Sequence, residues 1–80
     1  MELQEFIEKL RDLFEDTDPE EITAETYFQE LDEWSSLTAL SVIAMVKTDY
    51  ERNITGKEIR SCGTVEDLFY FIQKLEIAKA

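Results

Sequence analysis

The chain has 80 residues, with 8 Lys and Arg against 19 Asp and Glu, a formal charge of −11, no His, one Cys, one Pro and two Gly. Without His there is no imidazole base, no Ser–His or Cys–His nucleophile pair and no imidazole metal site, and a single Cys excludes an internal disulfide or thiolate cluster. A charge of this sign repels phosphate backbones and anionic lipid, so nucleic acid and bare membrane are poor partners and a basic protein surface is a good one.

This length fits one domain, residues 1–80, too short for the two-domain clefts of many enzymes. A hydrophobic share of 44% is enough for a packed core. The longest apolar runs, Val42 to Val46 and Leu68 to Ile72, fall far short of a membrane span. The opening Met1-Glu2-Leu3-Gln4-Glu5 lacks the basic and apolar regions of a signal peptide. Together with the single Cys this leads us to expect a cytoplasmic location. The charge is not spread evenly: residues 1–35 hold 13 acids and 2 bases, a net of −11, whereas residues 36–80 hold six of each. The whole excess precedes Ser36. Two readings are open, a solvated acidic face with an acidic loop, or a negative surface that steers a partner.

Leu3, Phe6, Ile7, Leu10, Leu13 and Phe14 recur at helical spacing and predict a first helix over about residues 2–15. Asp16-Thr17-Asp18-Pro19-Glu20-Glu21 ends it, and a connection of roughly 20 residues follows, long for so small a domain. Ile22, Tyr27, Phe28 and Leu31 are the expected pins of that loop. From Ser36 to about Glu51 a second helix carries two apolar faces. Ala39, Val42, Ile43, Val46 and Tyr50 gather on one, and Leu37, Leu40 and Ala44 on the other. Either the helix is central and buries both, or the second face is exposed and binds something. Asn53-Ile54-Thr55-Gly56 reads as a turn before a short helical piece through Lys57-Glu58-Ile59-Arg60. Gly63 breaks the chain, and Thr64 caps a last helix with Asp67 placed to bond back, its stripe being Val65, Leu68, Phe69, Ile72 and Leu75. Nothing alternates at period two. The expected fold is all-α, a small irregular four-helix bundle of three longer helices and one short, with a long first loop.

Most sequence patterns that suggest chemistry fail here. Gly56-Lys57 lacks the earlier Gly and the following Ser or Thr of a phosphate-binding loop, since Glu51 and Glu58 stand there. Asp16-Thr17-Asp18 lacks the central Gly and the twelfth-position acid of a calcium loop, since Glu21 and Tyr27 stand there. Cys62 has no His to activate it and reads as a packing thiol. What remains is Asp32-Glu33-Trp34-Ser35-Ser36-Leu37, where the acidic loop meets the second helix. Its plain reading is an N-cap serine. Its sharper reading is a phosphate-ester site, because a serine there sits beside unpaired backbone N–H groups and the positive end of the helix dipole.

In these residues the chain resembles the acyl carrier protein family, with its peptidyl and aminoacyl relatives, over nearly its whole length. Ser35-Ser36-Leu37 matches the family's Asp-Ser-Leu motif. Phe28-Gln29-Glu30-Leu31 is similar to the Phe-x-x-Leu segment before it, and Thr64-Val65-Glu66-Asp67-Leu68 to the opening of the fourth helix. The resemblance implies a stand-alone monomeric carrier that is not itself an enzyme. A separate phosphopantetheinyl transferase would move phosphopantetheine from coenzyme A onto Ser36. The arm would then carry an acyl group as a thioester between acyl-loading and acyl-processing enzymes with basic docking patches. It further implies partner contacts at Asp32, Glu33, Trp34, Ser35, Leu37, Leu40, Ala44 and Lys47. The interior able to shelter an acyl chain would be lined by Phe28, Ala39, Val42, Ile43, Val46, Ile59, Leu68 and Phe69. Two departures stand out. Ser35 replaces the family's Asp, and the second helix carries Thr38, Ser41 and Lys47 where acids are common, so either Glu30, Asp32 and Glu33 of the loop take over the steering or the carrier has narrower partners. Trp34, where small residues often stand, points to a specialised carrier. The alternative implied by the missing Asp is a carrier-like helical adaptor that is poorly or not modified and acts by protein–protein binding.

Overall fold

The first apolar stripe winds into α1 (Leu3–Leu13) in the computed structural model, which describes residues 2–75. Phe6, Ile7 and Leu10 are buried, Leu3 and Leu13 are half-buried, and Phe14 is buried as the residue that ends the helix. The helix thus closes sooner than the expected residue 15. Phe14 leaves helical geometry, although its N–H still bonds to the Leu10 carbonyl. Three further helices follow, α2 (Ser36–Tyr50), α3 (Gly56–Arg60) and α4 (Val65–Lys74), and there is no strand among the described residues. The fold is all-α with three longer helices and one short, and no described helix is long and apolar enough to cross a membrane.

Phe6 joins three of these helices. Its ring lies 6.1 Å from Tyr50 of α2 and 5.6 Å from Phe69 of α4, both at tilted angles that suit aromatic quadrupoles. Truncating a fully buried Phe of this kind costs about 3–5 kcal/mol. On α2, Val42, Met45, Val46 and Tyr50 are buried and Ala39 and Ile43 lie at the border of the core. The second apolar face is exposed, Leu37 at 74% and Leu40 at 61%. That decides between the two readings of the helix: it is not buried all round.

The helix ends follow local chemistry. Thr55 accepts from the Glu58 amide at 3.1 Å while the Glu58 carboxylate accepts from the Thr55 amide at 2.9 Å, a reciprocal cap that starts α3 inside the expected turn. Thr64 and Asp67 make the same exchange at the head of α4, as their spacing predicts. At the other end of α2, Glu51 adopts a left-handed φ of 57°, and Arg52 donates to the carbonyls of Tyr50 and Leu75 at 2.9 and 3.1 Å.

The long connection between α1 and α2 is a strap bonded to the rest of the fold along its length. It contains two 3-10 turns, Pro19–Glu21 and Phe28–Glu30, with Ile22 and Phe28 fully buried. Arg11 of α1 donates through Nε and Nη2 to the Ile22 carbonyl at 3.1 and 2.9 Å. The Thr26 and Ala24 carbonyls accept the first two amides of α4, from Val65 and Glu66, each at 2.9 Å. Gln29 Nε2 donates to the Cys62 carbonyl at 2.8 Å, just past α3. Tyr27 is the exception among the expected pins. It is 58% exposed and lies over Gly63, because its neighbour Phe28 takes the inward position of the turn. Leu31 is half-buried against the core.

Two buried groups carry pH information. Cys62 is buried, its thiol donates to the Glu58 carbonyl at 3.5 Å, and burial pushes its pKa up, in keeping with a packing thiol. The Tyr50 hydroxyl is buried without a hydrogen-bond partner among the described residues. Burial, then the charges of Glu5 and Asp49, push its pKa from 10.0 up to about 12. The unfolded chain releases that proton near its ordinary value while the folded chain holds it. This contribution to stability is therefore intact below pH 10 and is lost as pH rises towards 12. Tyr50→Phe is expected to melt at or slightly above the wild-type temperature at pH 7, because it removes an unsatisfied buried hydroxyl. Above pH 10 it should lose less stability than wild type; thermal melts at both pH values check this.

Candidate functional site

Ser35 and Ser36 are adjacent in sequence but do different work. Ser35 is extended, with φ −156° and ψ 176°, and its Oγ accepts from the Thr38 amide at 3.3 Å, so it is the N-cap of α2. Thr38 reinforces the cap, its hydroxyl donating to the Glu33 carbonyl at 2.9 Å. Ser36 is the first helical residue. It is exposed, and its hydroxyl makes no hydrogen bond among the described residues. The amides of Ser36 and Leu37 likewise find no acceptor among them, as expected for the first turn of a helix. A free hydroxyl therefore stands beside free N–H groups at the positive end of a 15-residue helix. A phosphate ester on Ser36 fits this setting: its oxygens meet donors and a positive dipole, and no acid lies in the first turn of the helix to repel them.

The junction that presents Ser36 is built from aromatic rings and one carboxylate. Trp34 stacks on Phe14 at 6.2 Å and 24°, and meets Phe28 edge-on at 5.1 Å and 66°, so it wedges the end of the strap between α1 and the core. Glu33 reaches back to the start of the strap, just past α1, its Oε1 accepting from the Thr17 hydroxyl at 2.7 Å and from the Asp16 amide at 3.1 Å. Both residues were expected on the docking surface, yet both are engaged within the fold. The Glu33 carboxylate holds the strap, and only Glu30 and Asp32 of the three loop acids are exposed. Trp34 is half-buried, its large ring filling the space between Phe14 and Phe28.

The remaining expected residues divide cleanly. Leu37, Leu40, Ala44 and Lys47 are exposed along α2, downstream of Ser36. Phe28, Val42, Val46, Ile59, Leu68 and Phe69 are buried together, with Ala39 and Ile43 half-buried beside them. Three hollows lie at the surface, and none of these three is lined by the interior side chains. One of about 320 Å³ lies under the strap among Asp16, Thr17, Glu21, Leu31, Asp32 and Glu33, and no group of acids among the described residues is arranged to hold a metal ion. The other two lie along the α1 side of α2 and are bordered by Asp12, Leu13, Glu15, Ser41 and Met45. Sequence reasoning assigned none of these five to a binding surface. Leu13 belongs to the first apolar stripe, which periodicity points to the core, and Ser41 stood out only as a position of the second helix that lacks an acid.

No known protein family, characterised protein or solved structure matches the chain.

The division of labour between the two serines has a direct test in stability. Ser35→Ala removes the N-cap and should cost about 0.5–1 kcal/mol. Ser36→Ala touches no hydrogen bond and should stay within about 0.5 kcal/mol of wild type in urea unfolding. Leu40→Ala, on the exposed face, should also stay within about 0.5 kcal/mol, whereas a loss of several kcal/mol would mean that the face is buried.

Proposed function

We propose that the chain is an acyl carrier protein whose phosphopantetheine arm is attached to Ser36. The observation that carries this reading is the pairing at the head of α2 of an unengaged serine hydroxyl with unengaged backbone amides, followed by the exposed apolar row Leu37, Leu40 and Ala44. When present, the arm supplies a terminal thiol that holds an acyl group as a thioester. The chain's own residues do the rest. Ser35 caps the helix and so fixes the first turn, and Trp34 and Glu33 hold the strap so that the Ser36 hydroxyl faces solvent. Leu37, Leu40 and Ala44 offer apolar contact to partners, and the acids of α1 and the strap attract basic surfaces. The reading extends to a monomer in the cytoplasm, to a transferase that installs the arm, and to acyl-loading and acyl-processing enzymes as the arm's clients.

Ser35 in place of Asp bears on how the transferase meets the site. The cap geometry that an Asp would supply is supplied by the serine hydroxyl, so the helix start is kept and only the negative charge is lost. That missing charge favours one second reading, a helical adaptor that takes no arm and acts by protein binding alone.

Incubation of the full chain with coenzyme A and a promiscuous phosphopantetheinyl transferase should add the mass of one phosphopantetheine. The gain should vanish in Ser36→Ala and persist in Ser35→Ala, read by intact-mass spectrometry. No gain with several transferases would overturn the carrier and leave the adaptor.

A further inference from the structure

The two flanks of α2 differ in charge and in relief. Toward α1, two shallow hollows of about 310 and 450 Å³ share Leu13 and Ser41 and so run end to end as one groove. Leu13 and Met45 form its apolar floor, and Leu37 and Ala44 its α2 edge. From Leu37 to Thr48 the groove follows about three turns of α2, roughly 16 Å at 1.5 Å per residue. Asp12 and Glu15 line its Ser36 end, exposed and in no ion pair among the described residues. At the far end Asp49 is already paired with Lys9 at 3.3 Å. The other flank has the opposite sign. At 100° per residue Lys47 lies well round the helix from Ser41, next to Leu40, and α3, which packs on α2, exposes Lys57 and Arg60.

We propose that the α1–α2 groove seats an amphipathic helix of a partner protein. That helix presents an apolar stripe to Leu37, Ala44 and Met45, and Lys or Arg to Asp12 and Glu15. Charge selects the occupant. A second copy of this chain would bring a like charge of −11 against the acidic rim, and an anionic lipid would be repelled by it. A shallow, open hollow along α2, closed on one side by Asp12 and Leu13 at the end of α1, with an apolar floor and acids at its Ser36 end, suits an amphipathic helix laid on its apolar face. A basic partner lying instead along α2 and α3 would meet Lys47, Lys57 and Arg60. The proposal deepens the carrier reading by naming the flank of α2 that partners use; it rests on that reading for the partner's role, though not for the groove.

The probe is a synthetic peptide of about 15 residues with Leu on one helical stripe and Lys elsewhere, titrated at low salt into isotope-labelled full chain and followed by NMR. Shifts should centre on Leu13, Leu37, Ser41 and Met45. The double variant Asp12→Asn with Glu15→Gln should bind about three- to tenfold more weakly, and added salt should erase the difference. Both acids sit near the C-terminal end of α1, where they oppose the helix dipole, so neutralising them leaves the fold at least as stable. Lys57→Gln with Arg60→Gln should bind as wild type or more tightly. Shifts centred on Leu40, Lys47 and α3, equal affinity in the Asp12 and Glu15 variant, equal binding of a Glu-for-Lys peptide, or occupation of the groove by a second copy would each overturn the proposal. Intact mass after transferase treatment of the same samples separates the two ideas. Loss of the mass gain with peptide binding kept removes the carrier alone, and the reverse removes the groove alone.

Discussion

The structure depends on how the strap between α1 and α2 is tied down. Its backbone and side chains bond to α1 through Arg11, to the head of α4 through the Ala24 and Thr26 carbonyls, and to the end of α3 through Gln29. Two side chains, Ile22 and Phe28, anchor it in the core. The bonds to α4 also satisfy groups that the helix leaves open. The α4 amides are among the orphan donors that every helix start carries, and the strap's carbonyls meet two of them. A connection that would ordinarily be an entropic burden is thereby made part of the packing. Only because it ends in a fixed place, with Trp34 between Phe14 and Phe28, does α2 begin where it does.

From that fixed start the character of α2 follows. Its N-cap is polar and uncharged, its first turn holds no acid, and one of its apolar faces stays in water. The negative charge that might have lain along this helix lies instead on α1 and the strap. There it is partly used for structure, since Glu33 binds Thr17 and Asp16, and partly left to solvent. The two bases of that acidic half are both engaged, Arg11 with the Ile22 carbonyl and Lys9 with Asp49 and, at 4.0 Å, with Glu5. The electrostatic surface is therefore set by helix packing as much as by composition.

Helical periodicity made α1, α2 and α4 legible, and the Thr64 and Asp67 spacing marked the start of α4 within a residue. The inner face of α2 was equally plain, although Met45 lay between the two apolar stripes and belonged to neither. Periodicity could not say whether the outer face is covered, because that depends on where α1 and α3 lie, which is a property of the whole fold. Tyr27 was misplaced for a related reason: in an aperiodic loop nothing ranks one aromatic above its neighbour, and only the turn at Phe28 decides which points inward. The roles of Glu33, Arg11 and Gln29 are bonds between residues far apart in sequence, and no local pattern announces them. Ser36 was legible as a position, but its freedom from hydrogen bonding emerged only once Ser35 was seen to hold the cap.

The burial of Cys62 bears on the proposed carrier role, in which the chain would present a thioester. A thiolate at the surface would attack the thioester carbonyl and take the acyl group onto the chain itself, releasing the arm's thiolate. Cys62 is enclosed beside α3, donates to the Glu58 carbonyl and is held protonated by its surroundings. The chain's one thiol is thus shielded, and a thiol added at Ser36 would be the only one fully open to solvent.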